Sequence, residues 1–99
     1  MDYEKKYILR QFSKEQKLKK VELEGYNNWI LDCEFYETKY ENIYITDYDL
    51  THFDLESRGL VQFFYRKGKE IITMKISIES LCDVEFINQA LEIFKKETL

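Results

Sequence analysis

The segment that most restricts how this chain can fold runs from Leu60 to Ile78. Residues 60–66 read LVQFFYR, a β-branched and aromatic run, and after KGKE the residues Ile72, Met74, Ile76 and Ile78 alternate with Thr73, Lys75 and Ser77. A period of two places alternate side chains on opposite faces of a strand. Two such runs joined by a short loop containing glycine form a β-hairpin. The spacing therefore predicts strands over 60–66 and 70–78, with the turn centred on Gly68.

A half-apolar sheet needs a cover, and the next segment supplies one. Val84, Ile87, Ala90, Leu91 and Phe94 recur at three- and four-residue spacing, which makes one apolar stripe on a helix over about 83–97. Asp83 or Ser80 caps its first turn, and Lys95 and Lys96 suit the negative end of its dipole. Upstream, Val21 and Leu23 alternate with Lys20, Glu22 and Glu24, a strand over about 19–25. It ends at GYNN, where glycine and asparagine tolerate the positive φ of a turn. Trp29, Leu31, Cys33 and Phe35 oppose Ile30, Asp32 and Glu34 on a strand over about 28–37. Ile43 and Ile45 alternate with Tyr44 and Thr46 on another over about 42–48. The tract 49–59 is mainly a connection. At the start, Tyr3, Tyr7, Ile8 and Phe12 follow helical spacing, although KYILRQF also reads as a short strand.

The expected fold is α+β within one domain, residues 1–99. An antiparallel meander of five or six strands is packed by a C-terminal helix, with an N-terminal helix as a further element. Strands followed by one terminal helix are also the order of elements in a small pleckstrin-homology-like barrel, a similarity of architecture alone. The 44% hydrophobic and 16% aromatic content is enough for one core without staples. There is no proline, and Lys, Ile, Tyr and Phe are abundant, a usage that points to the AT-rich genome of a low-GC bacterium or its phage. The two cysteines, Cys33 and Cys82, form no zinc spacing, and no apolar run suits a signal peptide or a membrane span. A cytoplasmic protein with reduced thiols, no cofactor and no membrane contact is expected.

Net charge is −4, but it is unevenly placed. Counted by segment, residues 1–20 carry +4, residues 21–57 carry −9, residues 58–78 carry +4 and residues 79–99 carry −3. The total argues against a general nucleic-acid binder, while the segments allow distinct acidic and basic faces.

Several chemistries meet obstacles in the residues. Asp47, Asp49, His52, Asp54 and Glu56 offer metal ligands, but an EF-hand loop from Asp47 needs glycine sixth and glutamate twelfth, where His52 and Arg58 stand. A small metal-dependent hydrolase on this segment is the third-ranked reading. Glu37-Thr38-Lys39 supplies an E-x-K triplet with Glu22, Glu24 or Asp32 upstream, a common pairing in a chain that is 34% charged. His52 is the sole histidine, Cys33 reads as a buried hydrophobe, and no base neighbours Cys82.

The preferred expectation concerns residues 36–57. Tyr36, Tyr40, Tyr44 and Tyr48 recur every four residues among six carboxylates and one lysine. On an extended segment these tyrosines share a face, and a turn near Glu41-Asn42 brings them together across strands. They are interface anchors, and Asp47, Asp49, Asp54 and Glu56 steer the surface to a basic protein partner, itself a nucleic-acid-binding protein in one version. The chain would then be a non-enzymatic inhibitor or regulator. The alternative is a nucleic-acid-binding module using Lys17, Lys19 and Lys20 with the Arg66, Lys67 and Lys69 hairpin, Phe64 and Tyr65 stacking on bases.

Overall fold

The computed structural model describes residues 3–23, 33–47 and 59–98. Helix α1 (Tyr3–Glu15) leads into strands β1 (Lys20–Val21), β2 (Phe35–Glu37), β3 (Ile43–Thr46), β4 (Leu60–Lys67) and β5 (Glu70–Ser77). A 3-10 turn, Ile78–Cys82, then connects to helix α2 (Val84–Glu97). The strands form one antiparallel sheet in the order β1-β2-β3-β4-β5, a plain meander. The fold is thus α+β, with both helices present. β1 and β5 are its two edges, so the described strands form an open sheet and not a barrel.

The hairpin of β4 and β5 has the expected centre. Its register runs without a bulge from Leu60 opposite Ser77 to Lys67 opposite Glu70, leaving Gly68-Lys69 as a two-residue loop. Gly68 has φ +63°, as the first loop position of a type II′ hairpin turn requires. The earlier strands are shorter than their patterns suggested. β1 is two residues long, β2 begins only at Phe35, and β3 ends at Thr46; Tyr48 and residues 24–32 lie outside the described residues.

α1 ends in a Schellman arrangement. The Leu18 N–H donates to the Ser13 carbonyl (2.8 Å) and the Lys17 N–H to the Lys14 carbonyl (3.1 Å), while Lys17 sits at φ 57°. The reversal turns the chain directly into β1. α2 begins as expected, its Asp83 carboxylate accepting from the Phe86 N–H at 3.1 Å.

Both helices cover the same face of the sheet. Leu9 and Phe12 of α1 and Ile87, Leu91 and Phe94 of α2 join Ile43, Ile45, Val61 and Phe63 in one buried cluster. Phe94 stacks on Phe63 with ring centroids 5.8 Å apart. The buried phase of α1 differs from the expected stripe: Leu9 is inside and Tyr7 is 61% exposed. The opposite face is also closed at its centre, where Phe35 and Phe64 meet edge to face at 5.4 Å and pack with Cys33. Thr46 and Gln62 are buried as well. Strands buried on two faces carry fewer polar alternations than a solvated sheet, which is why β4 reads as an almost continuous apolar run.

Candidate nucleic-acid interface and the Glu34 network

The connection between β2 and β3 decides the fate of the tyrosine series. Phe35 pairs with Thr46, Tyr36 with Ile45 and Glu37 with Tyr44, so Lys39–Asn42 form a four-residue connection with Asn42 at φ 66°. An even-numbered loop pairs an even residue with an odd one across the strands. Residues spaced by four along the sequence therefore change face at this turn. Tyr36 points into the helix-side core and is buried, Tyr44 lies half-buried on the opposite face, and Tyr40 occupies the turn. The expected single tyrosine stripe is not formed.

The carboxylates of that segment fare similarly. Asp47 is turned inward: it accepts the Glu34 N–H at 2.8 Å and pairs with Lys6 at 3.6 Å. Tyr48, Asp49, His52, Asp54 and Glu56 lie outside the described residues. Among the described residues no group of three or more potential ligands is gathered for a metal ion.

The residues of the alternative set are brought together. In a meander of this order, the start of β1, the β2–β3 turn and the β4–β5 turn all fall at one end of the sheet. Two hydrogen bonds tie them: the Glu37 N–H to the Lys19 carbonyl at 2.8 Å, and the Arg66 N–H to the Asn42 carbonyl at 3.0 Å. Lys17, Lys19, Lys20, Lys39, Lys67 and Lys69 are exposed there and Arg66 is half-buried. The carboxylates contributed by the same segments are Glu37, Glu41 and Glu70, and Glu34 and Glu92 pair with Lys20 and Lys39, so seven cations face five anions. Neighbouring strands lie about 4.8 Å apart, so three spacings from β1 to β4 span roughly 14 Å.

Phe64 and Tyr65, expected as stacking platforms, are 0% and 7% exposed and belong to the two cores. Both fall inside because the sheet is covered on two faces. Beside the half-buried Tyr44, the aromatic ring at this end is Tyr40. The ammonium groups of Lys39 and Lys95 lie 5.3 and 5.6 Å from its centroid. Its hydroxyl donates to Glu92, and Lys39 pairs with Glu92 at 2.8 Å. Those contacts raise the Tyr40 hydroxyl and lower the Glu92 carboxyl from their ordinary values. Lys39 thus turns to α2, and the E-x-K triplet does not pair it with Glu37.

Just before β2, at the end of the strand away from the β2–β3 turn, lies a densely bonded polar residue. The Glu34 side chain is only 6% exposed, yet it accepts from Arg10 Nε at 2.8 Å, Arg10 Nη2 at 2.7 Å, Lys20 Nζ at 3.2 Å and the Tyr36 hydroxyl at 2.9 Å. The two-pronged bond from Arg10, against the opposing cost of burial, holds its carboxyl at about 2. Burial first, and then the bond to Glu34, push the Tyr36 hydroxyl up to about 12. The network is a clamp: it joins α1 to β1 and β2 and fixes where the basic stretch 17–20 leaves the helix. Its strength marks a structural pairing, because every lone-pair direction faces a donor.

Cys33 is buried beside Asp47, and burial pushes its thiol up to about 12, which removes it as a nucleophile at neutral pH. Cys82 is exposed in the 3-10 turn. An apolar cavity of about 120 Å³ opens between the helices, over Phe12, Leu18, Ile45, Phe63, Ile87 and Leu91, with Gln16, Lys39 and Asn88 at its rim. No described helix is long and apolar enough to cross a membrane. No family model, curated protein or solved structure matches this chain, so its functional reading rests on the geometry above.

Proposed function

We propose that this protein is a non-enzymatic nucleic-acid-binding module whose basic sheet end holds a phosphate backbone. One observation carries the reading: two basic stretches 49 positions apart at their starts, Lys17 and Arg66, arrive at the same end of one sheet, with Lys39 between them. A row of cations spread over roughly 14 Å can contact successive phosphates of one strand. The contacts are to the backbone, and little base preference follows, since the Tyr40 hydroxyl at this end is already bonded and Tyr44 beside it is half-buried.

The test is fluorescence anisotropy with a labelled single-stranded oligonucleotide and two charge reversals. One variant carries Lys67→Glu and Lys69→Glu on the β4–β5 turn, the other Lys17→Glu and Lys19→Glu beside β1. Each is expected to weaken binding strongly with the fold retained, because none of these four ammonium groups takes part in an ion pair among the described residues. Loss in one variant alone would confine the contact to one turn and defeat the two-segment reading.

A second reading is favoured by the β2–β3 turn itself. A polar cleft of about 310 Å³ is lined by Glu37, Lys39, Tyr40, Glu41 and Tyr44, with both carboxylates exposed. A basic protein partner would insert a lysine or arginine between the rings and the acids, as the neighbouring Lys39 and Lys95 already approach Tyr40. Under this reading Glu37→Gln with Glu41→Gln abolishes recovery of a basic protein, and the lysine variants do not.

A further inference from the structure

The two edges of the sheet are treated differently. β1 is two residues long and carries Lys20, which is how natural sheets blunt an edge. β5 is eight residues long, EIITMKIS, with one charge in its interior, no proline, no glycine and no bulge. Ile71 is 43% exposed, and Ile72 and Met74 are half-buried. Such an edge is a template for another strand.

The direction of its free hydrogen-bonding groups follows from the register. A two-residue hairpin makes Lys67 and Glu70 a hydrogen-bonded pair, and pairs alternate from there. The Arg66 N–H confirms the phase, since it donates away from β5 to Asn42. Hence Ile71, opposite Arg66, and likewise Thr73, Lys75 and Ser77 turn their N–H and C=O groups to the outer edge. No described strand pairs with them there.

We infer that β5 pairs antiparallel with β5 of a second copy about a twofold axis at Thr73, joining two five-stranded sheets into one. A twofold axis perpendicular to the sheet keeps the two helix-bearing faces on one side, so only residues of the same parity can oppose one another. With Thr73 on the axis, the outward groups of Ile71 meet those of Lys75 from the other copy. Ile72 then lies opposite Met74 of the other copy on the helix side, completing the cover that each lacks alone. Lys75 opposes Ile71, so the only interior charge never meets itself. A foreign strand could satisfy the same backbone groups, but this self-matching of side chains commits the edge to a second copy. The contact is isologous and closes at two copies.

The inference is tested by sedimentation equilibrium of the full chain together with amide hydrogen exchange. The wild type should move from 12.1 kDa toward twice that mass as concentration rises, over a hundredfold range ending at ~0.5 mM. The Ile71, Thr73 and Lys75 amides should become protected over the same range. Thr73→Lys places two ammonium groups across the axis and should hold the chain at the monomer mass with its melting transition intact. A wild-type mass that stays at one chain, a dimer unchanged by Thr73→Lys, or protection appearing without these three amides would overturn it. Because Thr73→Lys leaves the basic sheet end untouched, oligonucleotide affinity of the monomeric variant reports separately on the proposed function.

Discussion

Glu34→Gln tests the account of what holds the basic end in place. The wild-type carboxyl sits at about 2 in the folded protein against an ordinary 4.5. A difference of that size corresponds to about 3 kcal/mol of linkage energy, at 1.36 kcal/mol for each tenfold change. Arg10 and Lys20 are both 56% exposed, so solvent screens part of the interaction. About 2 kcal/mol is the amount expected at pH 7. The sign is fixed by the direction of the shift. A depressed carboxyl contributes fully above its unfolded value and loses the contribution as pH falls through the folded one. The benefit should be complete above about pH 5.5 and more than half gone by pH 3. Urea unfolding of wild type and Glu34→Gln at both pH values measures it, with the difference in stability large at pH 7 and small at pH 3. A cost that is the same at both, or below about 0.5 kcal/mol at pH 7, would refute the charge-based clamp.

Three further outcomes follow from particular residues. Lys17→Gly should stabilise the protein by about 0.5–1 kcal/mol in urea unfolding, because glycine adopts the positive φ at the end of α1 without a Cβ clash. Phe94→Ala should cost about 3–5 kcal/mol by the same assay, since the ring is fully buried against Phe63 and its removal leaves a cavity under α2. Titration with a thiol reagent at pH 8 should label Cys82 alone in the folded protein and Cys33 only after unfolding; equal labelling of both would contradict the burial of Cys33.

The parts of the fold legible in the sequence are the parts built from neighbours. The β4–β5 hairpin and α2 each carry their periodicity and their turn or cap within fewer than twenty residues, and both stand where the spacing put them. Glu34 was not legible as a buried residue. Its alternation with Cys33 and Phe35 assigns it to a polar face, and the Arg10 that neutralises it is 24 positions away on a helix. α1 hid its phase for a related reason. Its buried side includes Ser13 and the stem of Lys5 beside Leu9 and Phe12, so polar residues interrupt the stripe that would have excluded Tyr7. The tyrosine series failed through one integer. A period of four is blind to the parity of the loop it crosses, and the four-residue connection moved Tyr44 to the other face from Tyr36. The gathering of Lys17–Lys20 with Arg66–Lys69 needed strand order, which no local pattern contains.

The central claim, that one end of the sheet is a phosphate-binding row, is tested most directly by the salt dependence of oligonucleotide binding. Phosphate contacts from the four lysines Lys17, Lys19, Lys67 and Lys69 give log K against log salt a slope of about −3 for a single strand. Affinity measured between roughly 50 and 300 mM salt should follow that line, and its slope should shrink by about 1.4 for each pair of lysines reversed. A slope near zero, or no binding at the lowest salt, would contradict the account.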